Sequence, residues 1–134
     1  MITIIRENTW SPNVSGLEHA WGNGYVVIPK GHLLHGVDYD EIEVDVHYGL
    51  TFGRYAEELD WDELKDVPQK YKDGWIVGFD TCHYQDTSKN WTKERVQEET
   101  NRLRRNLKKL SIYLRFKNLI EKIDRFLLSL FKTK

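Results

Sequence analysis

The sequence has a single cysteine and no long apolar run, and each shortage narrows the class of protein. A single cysteine, Cys82, excludes an internal disulfide and a cysteine-based zinc cluster. No run approaches the roughly 18 consecutive apolar residues that cross a bilayer. Residues 1–6 lack the basic start and long apolar stretch of a secretory signal. We therefore expect a cytoplasmic protein.

The composition that remains is that of one folded domain. The chain has 134 residues and a mass of 16.0 kDa, with 40% hydrophobic residues and a mean hydropathy of -0.64. Aromatic residues make up 13%, which is too many for a disordered chain. The sequence contains no nucleophile-elbow, Walker or dinucleotide-binding motif. These features predict one compact core without naming a reaction.

The net charge of -1 conceals two halves of opposite sign. Residues 1–90 contain seven Lys and Arg against sixteen Asp and Glu, a net charge of -9. Residues 91–134 contain thirteen against five, a net charge of +8. This split is typical of an interaction tail, or of an acidic body that packs on its own basic helix, and both remain open. The acidic body argues against nucleic-acid binding there, because phosphate contacts need basic side chains.

Short β-branched and alternating segments predict a small sheet in the first 80 residues. In residues 42–47 the apolar Ile42, Val44 and Val46 alternate with polar residues, as on a half-buried strand. The segments between the strands are predicted to be loops, with at most one helical turn in residues 7–24 and a short helix near 61–64. Because no helical crossovers separate the strands, antiparallel pairing is favoured. The predicted strands are residues 2–5, 24–29, 42–47 and 75–80, with residues 49–52 continuing the sheet after a bend.

The C-terminal third predicts helix, with Thr92 as the N-cap and Glu94 in the first turn. Its first apolar stripe has steps of three and four residues. That stripe comprises Val96, Thr100, Leu103, Leu107, Leu110 and Leu114. A second stripe with a different phase comprises Ile112, Phe116, Leu119, Ile120, Ile123, Leu127, Leu130 and Phe131. The change of phase predicts either a bend near Ser111 or a second helix.

The expected fold is α+β, a small, mostly antiparallel sheet packed against a long C-terminal helix, with a second amphipathic helix at the end. Residues 1–110 would form the domain and residues 111–134 the basic amphipathic helix. Basic residues beside the second stripe can indicate binding to a membrane surface, a helix hairpin or self-association. Glu121 and Asp124 interrupt the basic face, which favours packing or a homodimer over a membrane.

Histidine and aspartate side chains gather near the ends of the predicted strands, where a rigid sheet can position a site. Three histidines and one carboxylate can hold a divalent metal such as zinc. The residues of that candidate metal site are His32, His47, His83 and Asp80. Alternatively, one histidine acts as a general acid or base beside Asp80 or Asp45, or the cluster binds a polar ligand without reaction. The histidines can also simply cap strand ends, and the sequence leaves all four interpretations open.

Four blocks of the chain resemble, in order, a family of small uncharacterised proteins found in phages and bacteria. The blocks are GYVVIPKGH at 24–32, GVDY at 36–39, VHYGLTF at 46–52 and WIVGFDTCH at 75–83. Two residues depart from the family pattern. Leu33 replaces a proline. Tyr48 replaces the first glycine of a Gly-Gly pair, and we expect its larger side chain to narrow any pocket at that turn. The segment after Leu110 is an addition to that pattern.

The resemblance implies that one site contains His32, His47, Asp80, His83 and Asp86. Tyr39 and Thr51, which lie within the matching blocks, complete the candidate ligand-binding set. The family carries no function to transfer. We expect an intracellular protein that binds a small polar or nucleotide-like ligand, or a protein partner, with a role in phage–host conflict. The alternatives are a metal- or histidine-assisted hydrolase and an interaction protein with no small-molecule site.

Overall fold

The computed structural model describes residues 1–9 and 19–132, and within these ranges one four-stranded sheet packs against one long helix. The sheet order is β1-β2-β4-β3, and every neighbouring pair is antiparallel. The elements are β1 (Ile2–Glu7), β2 (Gly22–Ile28), β3 (Phe52–Tyr55), β4 (Trp75–Phe79) and α1 (Lys93–Lys132). The predicted α+β class and antiparallel sheet are confirmed. The turn allowed within residues 7–24 falls largely on residues 10–18, which lie outside the described residues.

The sheet separates two apolar clusters because β2 is buried on both faces. Val26 and Ile28 point toward α1, whereas Tyr25 and Val27 point toward the connection between β3 and β4. That connection contains short 3-10 helices, one of them at Asp62–Leu64 near the predicted position. Burying each large side chain stabilises the fold by about 1.5–3 kcal/mol. A continuous apolar run is therefore the expected sequence of β2.

Residues 42–47 were predicted to form a strand, and this is wrong. The alternation is present, with Ile42 and Val46 buried and Asp45 exposed. However, the segment lies along α1, where Asn106 Nδ2 donates to the carbonyl oxygen of Asp45 at 2.9 Å. An extended segment that is half-buried shows a two-residue period whether its neighbour is a strand or a helix, so the pattern alone could not distinguish the two.

The prediction of a second helix after Ser111 is also wrong, because α1 is continuous over 40 residues. The helix contains no proline or glycine that would interrupt its hydrogen bonds. The first stripe faces the sheet through Val96, Leu103 and Leu107, which are fully buried. With about 100° of rotation per residue, the second stripe lies nearly half a turn away around the same helix. The two stripes are thus two faces of one helix.

No helix in the described part of the chain has both the length and the apolarity needed to cross a membrane.

Candidate functional site

A cluster of three polar side chains forms around the buried carboxylate of Asp86. His47 Nε2 lies 2.9 and 3.0 Å from the two carboxylate oxygens, and His83 Nδ1 lies 2.7 Å from Oδ2. The backbone N–H of His83 also donates to Oδ2, at 3.1 Å. The Asp86 side chain is 3% exposed, whereas His47 and His83 are 16% and 25% exposed. A buried anion therefore holds two imidazoles that remain partly open to solvent. We call these three residues the His/Asp cluster.

Two turns bring the His/Asp cluster together. After β4 the chain makes a turn in which the N–H of Asp86 donates to the carbonyl oxygen of His83, at 2.8 Å. His47 lies in a second turn, which is closed by a hydrogen bond from the N–H of Gly49 to the carbonyl of Val46, at 2.9 Å. The ring of His47 packs against Trp91, with 4.2 Å between centroids. The site is therefore built from loops that the sheet and the start of α1 hold in place.

Hydrogen bonding fixes the charge of Asp86. Burial alone would raise the pKa of this carboxyl, but the hydrogen bonds from His47 and His83 outweigh it and hold the pKa below its usual value. Asp86 is consequently an ionised acceptor, and each imidazole donates an N–H to it. The remaining nitrogen of His83, Nε2, lies 3.8 Å from Oδ1 of Asp80.

Asp80 therefore lies at the margin of the cluster. Its Oδ1 accepts the backbone N–H of Cys82 at 3.0 Å, which closes a tight turn at the end of β4. The carboxylate faces His83 and is not among the atoms that contact Asp86. The sequence predicted Asp80 as the carboxylate of the metal site, but in the structure the carboxylate that contacts both His47 and His83 is that of Asp86.

His32 does not join the cluster, which corrects the predicted set of His32, His47, His83 and Asp80. Its Nδ1 accepts the N–H of Leu34 at 3.1 Å, and its Nε2 lies 3.3 Å from the hydroxyl of Ser111 on α1. The loop after β2 runs toward α1, so His32 contacts the helix instead of the loop after β4. The spacing of the histidines along the chain does not show in which direction the loop after β2 runs.

Tyr39 and Thr51 also lie outside the cluster. The ring of Tyr39 lies against Gly53, where an added Cβ would come within 3.2 Å of it. Thr51 is exposed, and its backbone N–H donates to the carbonyl of Gly78 at 2.9 Å. Both residues have structural contacts in and around β3.

Sequence reasoning missed the part of α1 that supports His47. Glu99 Oε2 accepts the backbone N–H of His47 at 3.2 Å. Arg102 pairs with Glu99 one turn along the helix and with the carboxylate of Asp45 at 2.7 Å, and these hydrogen bonds raise the pKa of its guanidinium. Glu99 and Arg102 are three residues apart on one helix, and this spacing could have indicated their ion pair.

A cleft of about 330 Å³ opens beside Trp91. We call it the arginine cleft. It is lined by Trp91, Arg95, Glu98, Glu99, Arg102 and Arg105. The guanidinium of Arg95 lies over the indole of Trp91 at 4.2 Å. Because Trp91 also contacts His47, the cleft and the His/Asp cluster share one wall.

Comparisons with protein families, with curated proteins and with solved structures each find no match for this chain. The resemblance to the phage and bacterial family, and the role in phage–host conflict that it implies, therefore stay predictions.

Proposed function

We propose that the protein is a cytoplasmic binding protein that holds a small polar ligand through a divalent metal ion of the zinc type. The metal ligands are His47, His83 and Asp86, whose three donor atoms all lie within 4.8 Å of one another around one buried carboxylate. This juxtaposition is the observation on which the proposal rests. Imidazole nitrogen and carboxylate oxygen suit zinc, and sites with three protein ligands keep a position open for water or another ligand.

The spacing of the donor atoms suits such an ion. Zinc bonds of about 2.0–2.1 Å in tetrahedral geometry separate neighbouring ligand atoms by about 3.3 Å. The donor atoms of His47 and His83 lie 2.7–3.0 Å from those of Asp86. An outward movement of a few tenths of an ångström on each side would admit the metal, because both imidazoles are partly exposed and lie in loops.

Asp80 gives the proposal a second support. A histidine that binds metal through Nδ1 carries its proton on Nε2 and usually donates it to a carboxylate behind the ring. His83 would bind through Nδ1, and its Nε2 lies 3.8 Å from the carboxylate of Asp80. We assign Asp80 as the residue that orients His83, not as a metal ligand.

The arginine cleft supports an anionic ligand. Guanidinium groups bind phosphate and carboxylate with paired hydrogen bonds. Arg102 is already paired with two carboxylates. Arg105 is exposed and extends the basic lining toward solvent. A nucleotide-like ligand would place its negative charge among these groups and one oxygen on the metal.

Hydrolysis of a phosphate or amide bond is the second candidate function. The coordination position that three protein ligands would leave open favours it, because a bound metal ion would lower the pKa of a water and make it a nucleophile at neutral pH. Turnover of a bound ligand in the presence of zinc, and its loss in Asp86→Asn, would support the hydrolase. Retention of the intact ligand supports the binding protein.

The test is zinc titration by calorimetry of the full chain after treatment with a chelator. We expect about one zinc ion per chain, with binding lost in His47→Gln and in Asp86→Asn. Asp80→Asn should retain binding that is about 10- to 100-fold weaker. Nucleotides should then raise the melting temperature only when zinc is present.

His35 provides a matched control. It is a half-buried histidine away from the cluster, and its Nε2 is hydrogen-bonded to the carbonyl of Asp73 at 2.9 Å. His35→Gln should bind zinc like the unaltered chain. The proposal fails if zinc does not bind stoichiometrically, or if His35→Gln and His47→Gln weaken binding equally while circular dichroism shows both to be folded.

A further inference from the structure

The C-terminal half of α1 carries a large apolar surface that the described body of the chain does not cover. We call it the terminal stripe. Its residues are Ile112, Tyr113, Phe116, Leu119, Ile120, Ile123, Phe126, Leu127 and Phe131. Their exposed fractions run from 46% at Leu127 to 76% at Phe131. Together they expose on the order of 1,000 Å², whereas the largest apolar patch of a typical monomer is about 300–600 Å².

The terminal stripe points away from the sheet. Val96, Leu103 and Leu107 define the face of α1 that packs on the sheet. Rotation of about 100° per residue places the centre of the terminal stripe roughly 170° from that face. The sheet therefore cannot cover the terminal stripe. The stripe projects into solvent along the last 20 or so residues of α1.

We propose that the terminal stripes of two copies of this chain pair as antiparallel helices. Ile112, Phe116, Leu119, Ile123 and Phe126 are spaced by four, three, four and three residues, which is the heptad seam of helices that pack on one another. The seam is symmetric about residue 121. In an antiparallel pair, Phe116 meets Phe126 of the second copy and Leu119 meets its Ile123.

The exposed apolar area of the terminal stripe is of the size that a stable dimer buries. A standard interface buries about 800 Å² on each partner, and the terminal stripe offers on the order of 1,000 Å². Tyr113, Ile120 and Leu127 widen the seam on one flank, so the contact is broader than a strict two-position seam.

Basic residues upstream of the terminal stripe favour antiparallel over parallel helices. Upstream of Ile112 the same face of α1 becomes basic, with Arg105, Lys108 and Lys109. Parallel helices would bring these three cations of one copy against those of the other. Antiparallel helices overlap only over the terminal stripe, so the two basic segments lie at opposite ends of the dimer.

Charged residues on the flank of the terminal stripe also favour antiparallel helices. In the antiparallel pair, Lys117 of one copy lies level with Asp124 of the other on the same flank, and two symmetric ion pairs form. In a parallel pair, Lys117 would instead face Arg115 and Lys122 of the second copy. The pairing of Lys117 with Asp124 therefore favours helices that run in opposite directions.

Sedimentation equilibrium of the full chain tests the proposal. We expect twice the chain mass of 16.0 kDa. Leu119→Asp should reduce the mass to that of one chain without loss of helix by circular dichroism, since Leu119 is 54% exposed and belongs to neither apolar cluster of the body. The matched control is Leu128→Asp. Leu128 is 58% exposed but lies outside the stripe, so this variant should remain a dimer.

The direction of the helices is tested by exchanging charges. Lys117→Asp should weaken dimerisation by roughly 3- to 30-fold, and Lys117→Asp combined with Asp124→Lys should restore it. Failure of the double variant to recover indicates parallel helices and overturns the antiparallel pair. A monomer at every soluble concentration, an assembly larger than a dimer, or a monomer that binds anionic lipid vesicles through the stripe overturns the dimer itself.

Discussion

The ring of Tyr48 lies flat on the imidazole of His83, with 3.8 Å between their centroids and 11° between their planes. Tyr48 has a backbone φ of 55°, the one positive value at a non-glycine residue in the described ranges. Left-handed backbone costs such a residue about 1–2 kcal/mol. The residue occupies the third position of the Val46–Gly49 turn, where a positive φ favours glycine. An exposed tyrosine thus covers one face of a candidate metal ligand from a strained backbone position.

Tyr48→Gly should change access to the His/Asp cluster much more than stability. Glycine removes the backbone strain of about 1–2 kcal/mol, whereas loss of the stacked ring costs about 0.5–1.5 kcal/mol. The free energy of unfolding in urea should therefore change by less than about 1 kcal/mol, since the two effects oppose each other. A chelator should remove zinc faster, because one face of His83 is uncovered.

Tyr84→Gly is the control for that prediction. Tyr84 lies next to His83 in sequence but is fully exposed. Its removal should leave the rate of zinc loss unchanged. If Tyr48→Gly also leaves that rate unchanged, the stacked ring does not limit access.

His32 should make the stability of the protein depend on pH without affecting zinc. Burial lowers the pKa of His32, and Arg115 and the N-terminal ammonium lower it further. Its Nδ1 accepts the N–H of Leu34, so protonation breaks that hydrogen bond. The unfolded state then binds a proton more readily, and stability falls as the pH drops below about 6.5.

His32→Gln should therefore flatten the fall in the unfolding free energy between neutral pH and the acid side of the histidine range. Its zinc affinity should equal that of the unaltered chain, because His32 contacts Ser111 instead of the cluster. Loss of zinc binding in this variant would restore His32 to the metal site. An unchanged pH slope would show that His32 does not set it.

The two central strands and the class of fold could be predicted because their signals are local. β2 and β4 are buried on both faces, so each appears as a continuous apolar run next to glycine. The segment at residues 42–47 was misassigned because alternation reports burial and not the identity of the neighbouring element. The continuity of α1 could also not be deduced. A change in the phase of the apolar stripe occurs both where two helices follow one another and where one helix has two apolar faces.

The site was only partly predictable for a similar reason. His83 and Asp86 lie three residues apart, so a single turn brings them together and the sequence shows the pair. His47 reaches Asp86 across 39 positions, and only the packing of its turn on α1 fixes that contact. His32 had the same residue type and an equally plausible place beside a strand, but its loop leads elsewhere.

Gly24 should tolerate no side chain, because α1 crosses the sheet there at close range. A Cβ on Gly24 would lie 1.9 Å from Oγ1 of Thr100 and 2.6 Å from the ring of Phe79. Gly24→Ala should lower the free energy of unfolding in urea by about 1–3 kcal/mol, because the helix must move outward.

Thr100→Ala in the same chain should recover part of that loss, since the nearest clash disappears while the contact with Phe79 remains. The interaction energy from the double-mutant cycle should then be of opposite sign to the loss caused by Gly24→Ala. Simple additivity of the two variants would argue against close packing between Gly24 and Thr100.

Two leucines on α1 should separate the stability of the body from that of the proposed dimer. Leu107 is fully buried against the sheet, whereas Leu119 is 54% exposed in the terminal stripe. Leu107→Ala should cost about 2–5 kcal/mol of unfolding free energy at any protein concentration, because it leaves a cavity in the core. Leu119→Ala creates no cavity in the body. It should instead reduce the rise in the urea midpoint with protein concentration, because a dimer is stabilised by mass action. Unfolding curves at two concentrations measure both effects. Equal losses from the two variants at both concentrations would mean that Leu119 is packed within its own chain.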